Sequence, residues 1–194
     1  MARIHATKWL QKLDEARAQA LAGTPDGIHD VRVATRKLRA WLSLSGHPEP
    51  LIEELRWLGH QLSALRDLDV LDETLTDDAR RRLRPPAIDQ AHAALNSERW
   101  RILRAALDAT RAPRIHDAKR ELRRIEREVM GLKLTLDPAS IHARRRGLRH
   151  LRYARRWLDL RSPEFKAEQV ALSALCDLFA LERFAAAHDP ASAP

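Results

Sequence analysis

The chain has 194 residues, 44% of them hydrophobic and 32% charged, with 35 Lys and Arg against 27 Asp and Glu for a formal net charge of +8. That balance excludes a disordered chain, and a single cysteine, Cys176, excludes an internal disulfide framework. No run approaches membrane-spanning length and the opening MARIHATKWLQKLDEA has no apolar stretch of signal-peptide length, so a cytoplasmic protein with an acidic partner and no membrane partner is expected.

Apolar residues recur at helical spacing almost throughout and Gly is only 6, which predicts an all-α protein. Residues 3–22 read as a first amphipathic helix with Ile4, Leu10, Leu13, Ala20 and Leu21 inward. AGTPDG, 22–27, breaks it, and a second helix follows, capped by Asp26 or Thr24 and ending near Gly46–Pro48. Residues 49–65 read as a third helix with a coiled-coil-like seam at Leu51, Leu55, Leu58, Leu62 and Leu65. TDDARRRLRPPAI, 76–88, reads as a charged connection, followed by one long helix to about Thr110. Residues 115–132 form a further helix whose Arg120, Arg124 and Arg127 are interleaved with Glu121, Glu126 and Glu128, the mark of a salt-bridged solvent face. Asp137-Pro138 and Ser162-Pro163 open the last two helices, the final one running from 163 to about 187, and 188–194 is a tail.

Two stretches occur twice. IHDVRVATRKLRAWLSL (28–44) and IHARRRGLRHLRYARRW (141–157) agree at six of seventeen positions: Ile28/Ile141, His29/His142, Arg32/Arg145, Arg36/Arg149, Leu38/Leu151 and Arg39/Arg152. LSALRDLDVL (62–71) and LSALCDLFAL (172–181) agree at seven of ten. The offsets, 113 and 110, are nearly equal and the order is kept, which predicts an internal duplication. The expected architecture is two related antiparallel helical bundles, halves about 1–110 and 111–187 of a single domain, with a pseudo-twofold relation and a basic central groove.

The first repeat carries the chemistry. At ~100° per residue, His142, Arg145, Arg149, Arg152 and Arg156 fall within an arc of about 80°, and His29, Arg32, Arg36 and Arg39 do the same. Beside each arc lies an apolar one: Ile28, Val31, Leu38 and Leu42, then Ile141, Leu148 and Leu151. Such a helix belongs at the wall of a cleft. From Arg145 to Arg156 the rise is roughly 16 Å, a ladder for an extended polyanion rather than one phosphate. Of the 35 cations only six are Lys, and Arg grips phosphate bidentately.

Other constellations are weaker. Asp67 and Asp69 sit in an apolar pattern, but only Asp67 has an acidic counterpart, Asp177, which favours a structural role, capping a helix or holding an Arg, over catalysis. His-Asp pairs at 29–30, 116–117 and 188–189 are short signals for a phosphohydrolase, and the first is not kept in the repeat. No Gly-rich phosphate loop, Ser/His/Asp set or Cys/His zinc spacing is present, so no enzyme, metal or cofactor is expected. Nucleic acid is the nearest rival ligand, because a basic helical protein binds phosphates non-specifically. The five Trp are scattered and supply no stacking platform along the arcs, unlike single-strand binders.

The pair IHDVRVATRKLR and IHARRRGLRHLRY, with LSALRDLDVL after the first, resembles the CHAD family, the conserved-histidine α-helical domains, over most of the chain. The resemblance implies paired helical bundles around a basic cavity that binds inorganic polyphosphate, with association to polyphosphate granules in the cytoplasm. Carried over by position, its binding residues are His29, Arg32, Arg36, Lys37, Arg39, His142, Arg145, Arg149 and Arg152; Arg156 extends the second arc, and Tyr153 matches a recurrent aromatic. The second half departs from the family pattern in lacking the full Arg-Asp-Leu-Asp motif, and its last helix reads as short, which would leave one end of the cavity more open.

Overall fold

The computed structural model describes residues 2–24, 26–46, 49–71 and 75–187, with side chains up to residue 179. Among the described residues the helices are α1 (Thr7–Leu21), α2 (Gly27–Leu44), α3 (Glu49–Gln61), α4 (Ser63–Leu71), α5 (Asp77–Asn96), α6 (Glu98–Asp108), α7 (Ile115–Met130), α8 (Pro138–Arg156) and α9 (Pro163–Ala187). The protein is all-α. Its one extended contact among these residues is a bridge between Arg3 and Arg114. The chain divides into two compact units, Met1–Ala118 and Lys119–Pro194, so α7 begins in the first and continues in the second. The expected tail, 188–194, lies outside the described residues.

In the first unit α2 is the hub. Its Ile28, Val31, Ala34, Leu38, Trp41, Leu42 and Leu44 are buried, and they pack on α1 and α3. The turn from α1 to α2 is tight enough that a Cβ on Gly27 would run into the backbone of Gln19 and Ala20. Neither expected cap closes α2. Asp26 makes no side-chain cap bond, and the Thr24 hydroxyl donates back to the Gln19 carbonyl at 3.0 Å. Backbone does the work instead: Gly27 N donates to Thr24 O and Asp30 N to Asp26 O. Trp41 Nε1 donates to Ile4 O at 2.8 Å, pinning the N-terminal segment over the core.

The seam expected as one helix over 49–65 is two. The break falls at Leu62, and Ser63, which opens α4, donates its Oγ to the His60 carbonyl at 2.6 Å. The matched serine, Ser173, bonds one residue further back, to Gln169 O, and α9 runs through unbroken.

Residues 77–88, read as a connection, are helical. Thr76 Oγ1 accepts from Ala79 N, and Asp77 and Asp78 sit in the first turn, where the helix dipole favours acid. α5 also runs through Pro85 and Pro86, which remove two donors and would ordinarily break a helix. The long helix expected to run to Thr110 is instead interrupted at Ser97, whose extended backbone and Oγ, accepting from Trp100 N, cap α6.

Arginine closes the first unit. Arg99 on α6 makes a two-point pair with Glu54 on α3, at 2.6 and 2.9 Å, and its guanidinium lies 4.0 Å from the Trp57 ring centroid. That hydrogen bond holds the Glu54 carboxyl below the ordinary carboxylate range. Arg104 binds both oxygens of Asp14 on α1. Arg17 on α1 donates to Leu95 O and Asn96 Oδ1 at the end of α5.

In the second unit α8 packs on α9 through Ile141, Leu148, Leu151 and Ala154, which are buried with Leu172 and Cys176 of α9. Val129 of α7 lies against Gly147 of α8.

Gly27→Ala forces α1 and α2 apart or strains the turn. It should destabilise the protein by about 3 kcal/mol, read as a lower midpoint in urea unfolding.

Candidate basic site on two helices

The geometry of each arc follows from a helix that is core on one side. On α2 the positions flanking the buried stripe are half-buried: His29, Arg32, Arg36, Lys37 and Arg39. On α8 the same holds for His142, Arg145, Arg149 and Arg152, while Arg156, in the last turn, is exposed. These side chains are therefore neither core nor free surface. Their stems pack and their heads reach the rim, as long basic side chains do beside apolar surface.

Several are tied to the neighbouring helix. Arg32 Nη1 donates to the Gly59 carbonyl at 2.6 Å, one turn before the α3–α4 bend, and Arg36 Nε donates to Arg32 O at 2.8 Å. Lys37 departs from the arc. Its ammonium stands 3.5 Å from the Trp9 ring centroid, a cation–π contact with α1.

On α8, Arg152 Nη1 donates to Gln169 Oε1 of α9 at 2.6 Å. His142 Nδ1 lies 3.3 Å from Cys176 Sγ, also on α9. Arg145 Nε is buried without a hydrogen-bond partner. Among the described residues, neither Arg145 nor Arg152 meets a carboxylate. Arginines elsewhere in the chain behave differently: Arg56, Arg80, Arg99, Arg104 and Arg124 each pair with one or two acids.

One structural side chain escaped the sequence pattern. Arg144 occupies the position matched to Val31, in the middle of the core stripe, and is only 8% exposed. Nε donates to Glu168 Oε1 at 2.7 Å and Nη1 to the Val129 carbonyl at 2.6 Å, so one guanidinium joins α7, α8 and α9. The signal was the missing apolar residue between Ile141 and Leu148. Arg155 plays a similar part, donating to Glu126 on α7 at 2.8 Å with Phe165 of α9 beneath it.

Asp69 Oδ1 accepts from Arg84 Nη2 at 2.8 Å, joining α4 to α5, and Asp67 is exposed. His116 and Asp117 form a surface pair at 3.6 Å, and the 188–189 pair lies outside the described residues. No group of three or more His, Cys, Asp or Glu among the described residues is placed to hold a metal ion.

A family model described as CHAD domain matches residues 5–158. An uncharacterized protein, MT2285, of Mycobacterium tuberculosis (strain CDC 1551 / Oshkosh) is 30% identical in an alignment 163 residues long that covers 66% of this chain and 32% of that protein. This chain thus spans about a third of that relative's length. The crystal structure of the CHAD domain from the plant Ricinus communis aligns with a TM-score of 0.62 at 20% identity, covering 95% of this chain and 78% of that one, so the fold is shared.

Arg144→Ala should cost about 3 kcal/mol, because it strands Glu168 and a buried carbonyl together. Chemical denaturation reads that loss, while a change at Arg145, whose Nε has no hydrogen-bond partner, should leave the midpoint nearly unmoved.

Proposed function

Because the chain belongs to the CHAD family, we propose that it binds inorganic polyphosphate through the basic arcs of α2 and α8, without turning it over. The observation that carries this reading is the register of half-buried cations along α8, in which Arg145 and Arg152 meet no carboxylate. Holding guanidinium groups at that depth without acids forfeits part of their hydration. A chain of phosphates restores it, with an oxygen presented at each turn.

The ligand chemistry fits the spacing. Polyphosphate carries charge along its whole length and no bases. It asks for cations in a line and gives aromatic rings nothing to stack on. Trp9 and Trp57, the half-buried aromatics of the first unit, are covered by Lys37 and Arg99. Arg, with five donors in a plane, takes two oxygens at once. His29 and His142 begin each arc near a helix N-terminus and add donors at neutral or positive charge. The proposed residues are His29, Arg32, Arg36, Arg39, His142, Arg145, Arg149, Arg152 and Arg156, with Lys37 contributing if its ammonium leaves Trp9. Recruitment to polyphosphate granules in the cytoplasm would follow from that affinity.

Titration of long-chain polyphosphate at ~0.15 M salt, where the screening length is about 8 Å, with duplex DNA as competitor tests the reading. Tight binding that DNA does not displace is expected. Equal displacement by DNA would move the assignment to a general nucleic-acid surface. Arg36→Glu combined with Arg149→Glu should weaken polyphosphate binding by at least about a hundredfold, with the helical circular dichroism kept, each reversed charge replacing an attraction by a repulsion. Arg145→Met removes a buried donor that has no partner. It should leave the melting temperature unchanged or raised while polyphosphate affinity falls, the trade expected of a residue kept for binding.

A further inference from the structure

The connection between α7 and α8 in the second unit, GLKLTLD over 131–137, has no role in either arc. It is unusually apolar for its position. Met130 is 49% exposed, Leu132 38%, Leu134 53% and Leu136 89%. The corresponding connection in the first unit, AGTPDG over 22–27, contains no large apolar residue, so a turn between such helices does not require one.

The loop is held in shape. Gly131 N donates to Arg127 O and Leu132 N to Val129 O, closing the end of α7. Leu132 lies against Gly147 of α8, where a Cβ would meet its Cδ1 at 3.2 Å. Ser140 then ties the far side: its Oγ donates to Lys133 O at 3.0 Å and accepts from Thr135 N at 2.9 Å, and its N donates to Asp137 Oδ2 at 2.8 Å. Leu134 and Leu136 are thus projected outward from a braced backbone.

Cations border them. Arg123 and Arg127 are exposed on α7 as it enters the loop, and Lys133 is exposed within it. Among the described residues no carboxylate pairs with any of the three. Of the nearby acids, Glu121 and Glu128 are engaged by Arg124, and Asp137 caps α8.

We propose that this loop docks on an anionic lipid bilayer, with Leu134 and Leu136 entering the headgroup–acyl boundary and Arg123, Arg127 and Lys133 contacting acidic headgroups. Protruding leucines with a cationic border suit a soft, flat, negatively charged interface, where apolar burial and charge act together. Among the described residues no helix is long and apolar enough to cross a membrane. That concerns spanning and not attachment at the surface.

Co-sedimentation of the full chain with phosphatidylcholine vesicles, with and without a phosphatidylglycerol fraction, tests the proposal. Wild type should sediment with the anionic vesicles and not with the neutral ones. Leu134→Ser combined with Leu136→Ser should weaken this by at least about tenfold, with polyphosphate affinity and melting temperature unchanged. Arg123→Glu combined with Arg127→Glu should weaken it as well. Wild type that ignores anionic vesicles overturns the proposal. So does a leucine variant that sediments like wild type, since the headgroups would then be held by the basic arcs alone.

Discussion

A guanidinium held half out of water must be answered by something, and this protein depends on how that demand is met. It carries 29 Arg and six Lys against 27 acids, and it does not distribute the acids evenly. Glu54, Asp14, Asp69, Glu126 and Glu168 are each given to an arginine that joins one helix to another. On α8, Arg145 and Arg152 receive none. The first kind of arginine is part of the fold, and its charge is neutralised where it stands. The second kind leaves a positive line at the edge of the core, which is the physical basis for assigning a polyanion to it.

The fold class was legible because helical periodicity is redundant: a misread residue in α1 or α8 leaves the stripe intact. The arcs were legible for a related reason. His29, Arg32, Arg36 and Arg39 could have been a solvated face, but their return at His142, Arg145, Arg149 and Arg152 fixed attention on them. Boundaries were less legible, because they turn on single hydrogen bonds. Ser63 and Ser173 are the same residue in matched contexts, yet one follows a helix break and the other lies inside α9. Pro85-Pro86 argued for a break, and α5 runs through both. Thr24 looked like a cap and serves the preceding helix.

Contacts between helices were the least legible. Arg144 stands in sequence within a run of three arginines, 144–146, and lies in the core with Glu168, a partner 24 residues away that only the packing of α8 on α9 reveals. The family pattern groups Lys37 with the arc, whereas the Trp9 ring holds it on the side of α1. In both cases residue type was informative about charge and silent about direction. The likeness to the plant CHAD domain bears on the fold, at 20% identity, and leaves such side-chain directions to each chain separately.

The Arg144 contact also bears on how freely the two basic helices could be traded. α2 and α8 are not interchangeable parts. Placed where α2 stands, α8 would bring Arg144 to the site of Val31, a fully buried position with an apolar stripe around it. Placed where α8 stands, α2 would leave Glu168 and the Val129 carbonyl without their donor. Each basic helix is fitted to its own floor, so an exchange of the two would be tolerated only with compensating changes at Val31 or at Arg144 and its partners.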